Sequence, residues 1–242
     1  MGRTLVIGDI HGSLKALIQL LERAAIRPDD ELIFLGDYVD GWSDSANVVS
    51  YLIELSRQNS CIFLRGNHDD LTYRWLKTGA LNDQWLQHGG QSSINAYRKF
   101  TEEVKKKHIH FFEQMLNYYI DKENRLFVHA GFTNLKGPEA EYNDIPFYWD
   151  RTLWEMALSL DPGLKREDMH YPKRLQLFKE IFIGHTPVTR IGCSVPVNRA
   201  NIWNMDTGAA FKGKLSMMDI ATHEFFQSDP VWELYPDEDG RN

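Results

Sequence analysis

Apolar residues fall along this chain in two periods. Short unbroken runs occur at Leu5-Val6-Ile7, Leu32-Ile33-Phe34-Leu35, Ile62-Phe63-Leu64, Leu126-Phe127-Val128 and Ile181-Phe182-Ile183. Their length and composition suit strands covered on both faces. Between the early runs, apolar residues recur three and four apart: Leu14, Leu17, Ile18 and Leu21, then Val48, Val49, Leu52, Ile53 and Leu55. That spacing lays one face of a helix on a sheet, so the first third of the chain predicts βαβ units. Ser13 stands where an N-cap would open the first helix. Late in the chain, Ile202–Met205, Leu215–Ile220 and His223–Phe226 lie between turns such as Asp206-Thr207-Gly208 and Lys212-Gly213-Lys214. These predict antiparallel strands completing a second sheet. The expected class is α/β (α+β), a two-sheet β-sandwich flanked by helices.

Residues 70–122 predict helices, with Trp75, Leu76, Trp85 and Leu86 as core or lid aromatics and a break at Gly89-Gly90. Phe111, Phe112, Met115 and Leu116 have core spacing, whereas Lys105-Lys106-Lys107-His108 reads as a solvated helix face. Residues 132–170 are irregular and aromatic and suggest a cap-like insertion within a single domain spanning 1–230. The acidic stretch from Pro230 to Asn242 offers little to bury and predicts a frayed tail.

Composition narrows the function classes. A net charge of −7 over 242 residues gives no basic footprint for bulk nucleic-acid binding. Two cysteines, Cys61 and Cys193, exclude a disulfide framework or a cysteine-rich zinc site. No apolar run approaches the ~18 residues of a membrane helix, and no room precedes the first strand for a signal peptide, so a cytoplasmic protein is expected.

The chemistry lies where the strands stop. Each run meets a glycine beside a hard ligand: Gly8-Asp9-Ile10-His11-Gly12, Gly36-Asp37-Tyr38-Val39-Asp40-Gly41, Arg65-Gly66-Asn67-His68-Asp69, His129-Ala130-Gly131 and Gly184-His185-Thr186-Pro187. Strand carboxyl ends are where α/β proteins place ligands, and Asp37 stands at the centre as a bridge between two metal ions. Asp9 and His11, two apart, could share one face of a strand and one metal; alternatively Asp9 caps the next helix. Asn67 is a neutral ligand or a turn residue. His68 could be a general acid oriented by Asp40. Arg151, after Tyr148-Trp149-Asp150, is either a surface salt-bridge residue or a phosphate clamp.

Together these five loops resemble the calcineurin-like metallophosphoesterase superfamily, in its phosphoprotein phosphatase branch. They occur in that family's order, and Asn204-Met205-Asp206-Thr207-Gly208 is similar to its late strand and turn. The resemblance implies a metallophosphoesterase-like fold with Asp9, His11 and Asp37 on one ion and Asp37, Asn67, His129 and His185 on the other. Two divalent ions are implied, manganese first, with iron or zinc as alternatives. His68 takes the acid's place with Asp40 its partner, and Arg151, Arg65 and Asn67 are the phosphate-contacting candidates, with a structural salt bridge the simplest alternative for Arg65. The expected activity is serine/threonine-type phosphomonoester hydrolysis, through in-line attack by a hydroxide held between the ions. A phosphorylated protein or small phosphoester is then the partner, with no nucleic acid or membrane. Symmetrical dinucleoside tetraphosphate hydrolysis is the alternative, and a metal-stabilised scaffold the alternative of another class. One departure stands out: Gly41 occupies the position where the family usually has an arginine.

Overall fold

A computed structural model describes residues 2–241. The apolar runs form strands β1 (Thr4–Ile7), β2 (Glu31–Phe34), β3 (Ser60–Phe63), β5 (Arg125–Val128) and β6 (Glu180–Ile183). Five more complete the sandwich: β4 (Tyr118–Ile120), β7 (Val197–Arg199), β8 (Ile202–Asn204), β9 (Ser216–Asp219) and β10 (Phe225–Gln227). One sheet has the order β10-β9-β1-β2-β3 and the other β4-β5-β6-β8-β7. Within them β1, β2 and β3 run parallel, as do β5, β6 and β8.

Strand alternation explains why the runs read as continuously apolar. Val6, Ile33, Phe127 and Phe182 point between the sheets, where Phe127 stacks on Phe182 with ring centroids 5.0 Å apart. Their neighbours Leu5, Ile7, Leu32 and Phe34 point outward against α1 (Leu14–Arg23) and α2 (Ser45–Leu55). On the far side Leu126, Val128, Ile181 and Ile183 pack under Phe132, Phe147, Leu153 and Trp154. Helix, sheet, sheet and helix thus form four layers. Much of the 132–170 segment is the outer layer over the second sheet, and it brings Trp149 and Arg151 to the cleft described below.

Four expectations need correction. The late strands do not make one antiparallel group: β8 joins the second sheet parallel to β6, while β9 and β10 extend the first sheet antiparallel to β1. The β7–β8 hairpin leaves β8 pointing the same way as β6. Ser13 does not cap α1; its hydroxyl donates back to the Ile10 carbonyl at 2.5 Å. The tail is not frayed. Val231 and Tyr235 are buried, the Tyr235 ring stacks on Trp42 at 5.3 Å, and its hydroxyl donates to Asp44 at 2.7 Å. A few aromatic and polar contacts hold a segment whose hydropathy alone is unpromising.

His108 is the fourth. Lys106 and Lys107 face solvent, but the imidazole turns inward, with Nδ1 at 3.0 Å from the Tyr97 hydroxyl and Nε2 at 3.0 Å from Ser50 Oγ. Burial pushes its pKa down from the ordinary 6.5 to about 4. Between those values the unfolded chain holds a proton that the folded chain rejects, so this group's effect is to lower stability as pH falls through that window. The full effect is about 3 kcal/mol. The stability gap between wild type and His108→Gln, measured by urea unfolding, therefore narrows from pH 7 to pH 4. A gap independent of pH would refute the buried neutral imidazole.

Candidate metal centre and active site

The site occupies the carboxyl ends of the parallel strands in both sheets. There the chain adopts a conformation that side chains generally avoid: His11 (φ 51°), Asp37 (φ 53°), Asp40 (φ 68°) and His185 (φ 66°) are all left-handed. Glycine is required where these turns touch other loops. A Cβ on Gly66 would collide with Asp37 Oδ1, and one on Gly184 with Asp9 Oδ1. Asp69, whose role the sequence did not reveal, holds Asp37 in place. Its carboxylate accepts from the backbone N–H groups of Asp37 (2.7 Å), Tyr38 (2.9 Å) and Gly66 (2.8 Å).

Asp37 lies between two clusters. Its Oδ2 is 3.4 Å from His11 Nε2 and 3.4 Å from His129 Nε2, while Oδ1 accepts from the His68 backbone N–H at 2.9 Å. Asn67 Oδ1 lies 3.3 Å from His129 Nε2 and 2.9 Å from His185 Nδ1. Asp9 Oδ2 is 3.9 Å from His11 Nε2 and accepts from the His185 backbone N–H at 3.0 Å. All six residues named as metal candidates are therefore gathered around one point. The reason expected for the Asp9–His11 pair is wrong, however: β1 has ended at Ile7, and the left-handed turn at His11, not strand alternation, brings them together.

The donor set fits divalent cations. Carbonyls orient two imidazoles: His129 Nδ1 faces the Leu35 carbonyl at 2.9 Å, and His11 Nδ1 faces those of Val39 and Asp40 at 3.2 and 3.1 Å. A proton on Nδ1 leaves Nε2 as the ligand atom aimed at Asp37. Asp9 Oδ1 and His185 Nε2 are buried without hydrogen-bond partners, as ligand atoms awaiting a cation would be. Electrostatics agree. Burial pulls His129 down, but Asp37 and Asp9 overcome it and raise the imidazole to about 10, so the cluster favours positive charge there. Burial, with Asp206 and Asp37 nearby, pushes Asp9 well above the usual carboxylate range. Oxygen and nitrogen donors without thiolate suit hard or borderline metals.

His68 sits beside this centre in a built cage. Its Nδ1 is 2.7 Å from Asp40 Oδ2, which leaves Nε2 as the nitrogen available for proton transfer. Asp40 also accepts from Trp85 Nε1 (2.6 Å), Ser93 Oγ (2.5 Å) and Thr72 Oγ1 (3.2 Å). Trp85 was legible only as a core or lid aromatic, and no loop motif marked Ser93.

The cleft above is bordered by Trp149, Arg151, Arg190, Phe211 and Arg241. Arg151 is half-buried and has no ion pair among the described residues. Burial and the neighbouring Arg190 lower its pKa. Arg65 is not at the cleft. Its guanidinium donates to the Phe112 carbonyl at 2.7 Å and pairs with Asp70 at 3.3 Å, so of its two readings the structural salt bridge holds and the phosphate contact does not. Arg190, Arg241 and Asp206, which lies in the cleft with its carboxyl raised by burial to about 6, are additions that the loop motifs did not announce.

Comparison with known proteins places this geometry. The model of the calcineurin-like phosphoesterase family matches residues 2–211. The asymmetrical bis(5'-nucleosyl)-tetraphosphatase PrpE of Oceanobacillus iheyensis is 25% identical over 242 residues, covering 91% of this chain and 89% of that protein. The protein of the same name from Bacillus thuringiensis is 28% identical, covering 87% of each. A crystal structure provisionally described as a diadenosine tetraphosphatase superposes with TM-score 0.64 at 19% identity, over 93% of this chain and 92% of that one. A protein serine/threonine phosphatase from Saccharomyces cerevisiae gives 0.63 at 14% identity, over 95% and 83%. At such identities the two structures bear on fold alone. The family match covers most of the chain, and the chain is a member of the calcineurin-like phosphoesterase family, a phosphoric ester hydrolase.

Proposed function

We propose that this enzyme hydrolyses a phosphoanhydride bond of dinucleoside polyphosphates, with bis(5'-nucleosyl) tetraphosphate as its substrate class and asymmetrical cleavage. The observation that carries this reading is the pair Arg151 and Arg190, neighbours at the mouth of the cleft with no carboxylate partner among the described residues. Among the half-buried arginines, Arg3, Arg65, Arg125 and Arg174 are each matched to an acid, as Arg151 is not. Two adjacent guanidiniums repel unless an anion spans them, and a chain of phosphates does so better than a single phosphoserine. Trp149 and Phe211 on the same rim offer faces for a base. The names of the PrpE relatives, matched over nearly their whole length, point the same way and favour asymmetrical over symmetrical cleavage.

Divalent ions, when bound at the Asp37 cluster, supply Lewis acidity to phosphoryl oxygens and acidify water. The chain's own groups do the rest. Arg151 and Arg190 neutralise phosphates beyond the bond that breaks. His68 hands its Nε2 proton to the leaving phosphate oxygen, and Asp40 keeps the ring oriented. A scaffold would have no use for an imidazole so fully buttressed.

Wild-type enzyme loaded with manganese is expected to have a higher kcat/KM on diadenosine tetraphosphate than on a phosphoserine peptide, releasing ATP and AMP. The reverse order would return the enzyme to the phosphoprotein reading, and two ADP would mark symmetrical cleavage. His68→Asn should lower kcat about a hundredfold or more, the usual contribution of a general acid, while metal content holds. Unchanged kcat would remove His68 from the chemistry. Asp37→Ala should leave fewer than two ions per chain by elemental analysis; two retained ions would refute the bridge.

A further inference from the structure

The stretch after Tyr235 crosses the surface and carries Arg241 into the cleft. Glu238 accepts from the Ser43 backbone and hydroxyl at 2.9 and 2.6 Å, and the Arg241 backbone N–H donates to the Ala210 carbonyl at 2.9 Å. Gly240 makes the last turn in the left-handed region (φ 65°). A Cβ there would press on the Ala210 carbonyl and the Trp42 ring, each at 2.7 Å, so only glycine lets the chain pass this close.

Arg241 then enters a slot cut by two other glycines. Added Cβ atoms on Gly41 and Gly89 would stand 3.3 and 3.1 Å from Arg241 Cγ, and Gly41 donates to Gly89 across the slot at 3.3 Å. The guanidinium carbon lies 5.4 Å from the centre of the Phe211 ring, and the group lines the same cleft as His11, Asp37 and His68. Its Nε is buried without a hydrogen-bond partner, and no carboxylate pairs with it among the described residues. Such a donor, carried to a cation-binding centre and left unsatisfied, costs stability unless an anion completes it.

We propose that Arg241 is a substrate-binding residue: delivered by the C-terminal segment through the slot at Gly41 and Gly89, it grips the phosphoryl group positioned at the Asp37 cluster. Gly41, having no side chain, leaves room for the stem of this arginine. The role rests on the phosphohydrolase reading but not on which phosphoanhydride is cut.

The test measures inorganic phosphate affinity by calorimetry, and KM and kcat on both diadenosine tetraphosphate and an aryl phosphate, using manganese-loaded full-length enzyme. Arg241→Met keeps the aliphatic stem in the slot and removes the donors. Phosphate affinity and kcat/KM on whichever substrate the wild type accepts should fall about tenfold to a hundredfold, the worth of a charged hydrogen bond. Metal content and thermal midpoint should hold. Arg241→Lys, retaining charge without the fork, should fall between. If Arg241→Met binds phosphate and turns over both substrates as wild type does, the proposal is overturned. A wild type inactive on diadenosine tetraphosphate, with phosphate affinity still lost in Arg241→Met, would instead sink the substrate assignment and leave Arg241 standing. Should Arg241→Met lose its fold, wild-type phosphate affinity retained in Arg241→Lys would overturn the fork contact, and a loss there at unchanged midpoint would support it.

Discussion

Three backbone N–H groups from two different loops converge on the carboxylate of Asp69, and the geometry of the site depends on that convergence. Asp69 lies in the first turn of the helix Asn67–Thr78, where an acidic side chain reaching back to the chain before the helix is ordinary capping chemistry. Here the same carboxylate also ties down the loop after β2. It fixes Asp37 in the left-handed region and sets the distance from Asp37 to Asn67 and His68. Burial and the nearby Asp37 push Asp69 up to about 7, against the pull of its donors. A buried acid beside another acid is a costly arrangement, and what it secures is the position of Asp37.

The same trade recurs around the centre. Left-handed backbone at residues other than glycine costs on the order of 1–3 kcal/mol each, and four site residues carry it. Tightly packed surroundings repay the strain: glycines at the points of contact, a four-donor shell around Asp40, and carbonyls that select the tautomers of His11 and His129. Negative charge is concentrated at the floor of the cleft and positive charge at its rim, and a metal-assisted phosphate site needs that polarity.

Much of this was legible in the sequence because strands buried on both faces leave unmistakable apolar runs, and each run stops at a glycine beside a ligand. Six ligand candidates and the His68–Asp40 pair could be placed from that alone. What surrounds them could not. Trp85 reaches Asp40 from a segment whose helical period is broken by Gly89, so no pattern marks its ring as facing the site. His108 is flanked by lysines, and only tertiary packing decides that its ring points in while theirs point out. Arg65 stayed open between a phosphate contact and a structural salt bridge because a motif position says nothing about whether a guanidinium is already satisfied. The C-terminal stretch was dismissed on composition, although one tyrosine stacked on Trp42 suffices to dock it.

The arrangement of the ligands has a mechanical consequence. Asp9, His11, Asp37 and Asn67 hang from one sheet and His129 and His185 from the other, with side chains such as Phe127 and Phe182 packed between the sheets. A cation held by these candidates would therefore clamp the two halves of the sandwich together. Its binding energy adds directly to the resistance of the entire molecule to unfolding, in proportion to the logarithm of its concentration above the dissociation constant. Chelation should then loosen the seam between the sheets along its full length, far from any residue that touches substrate.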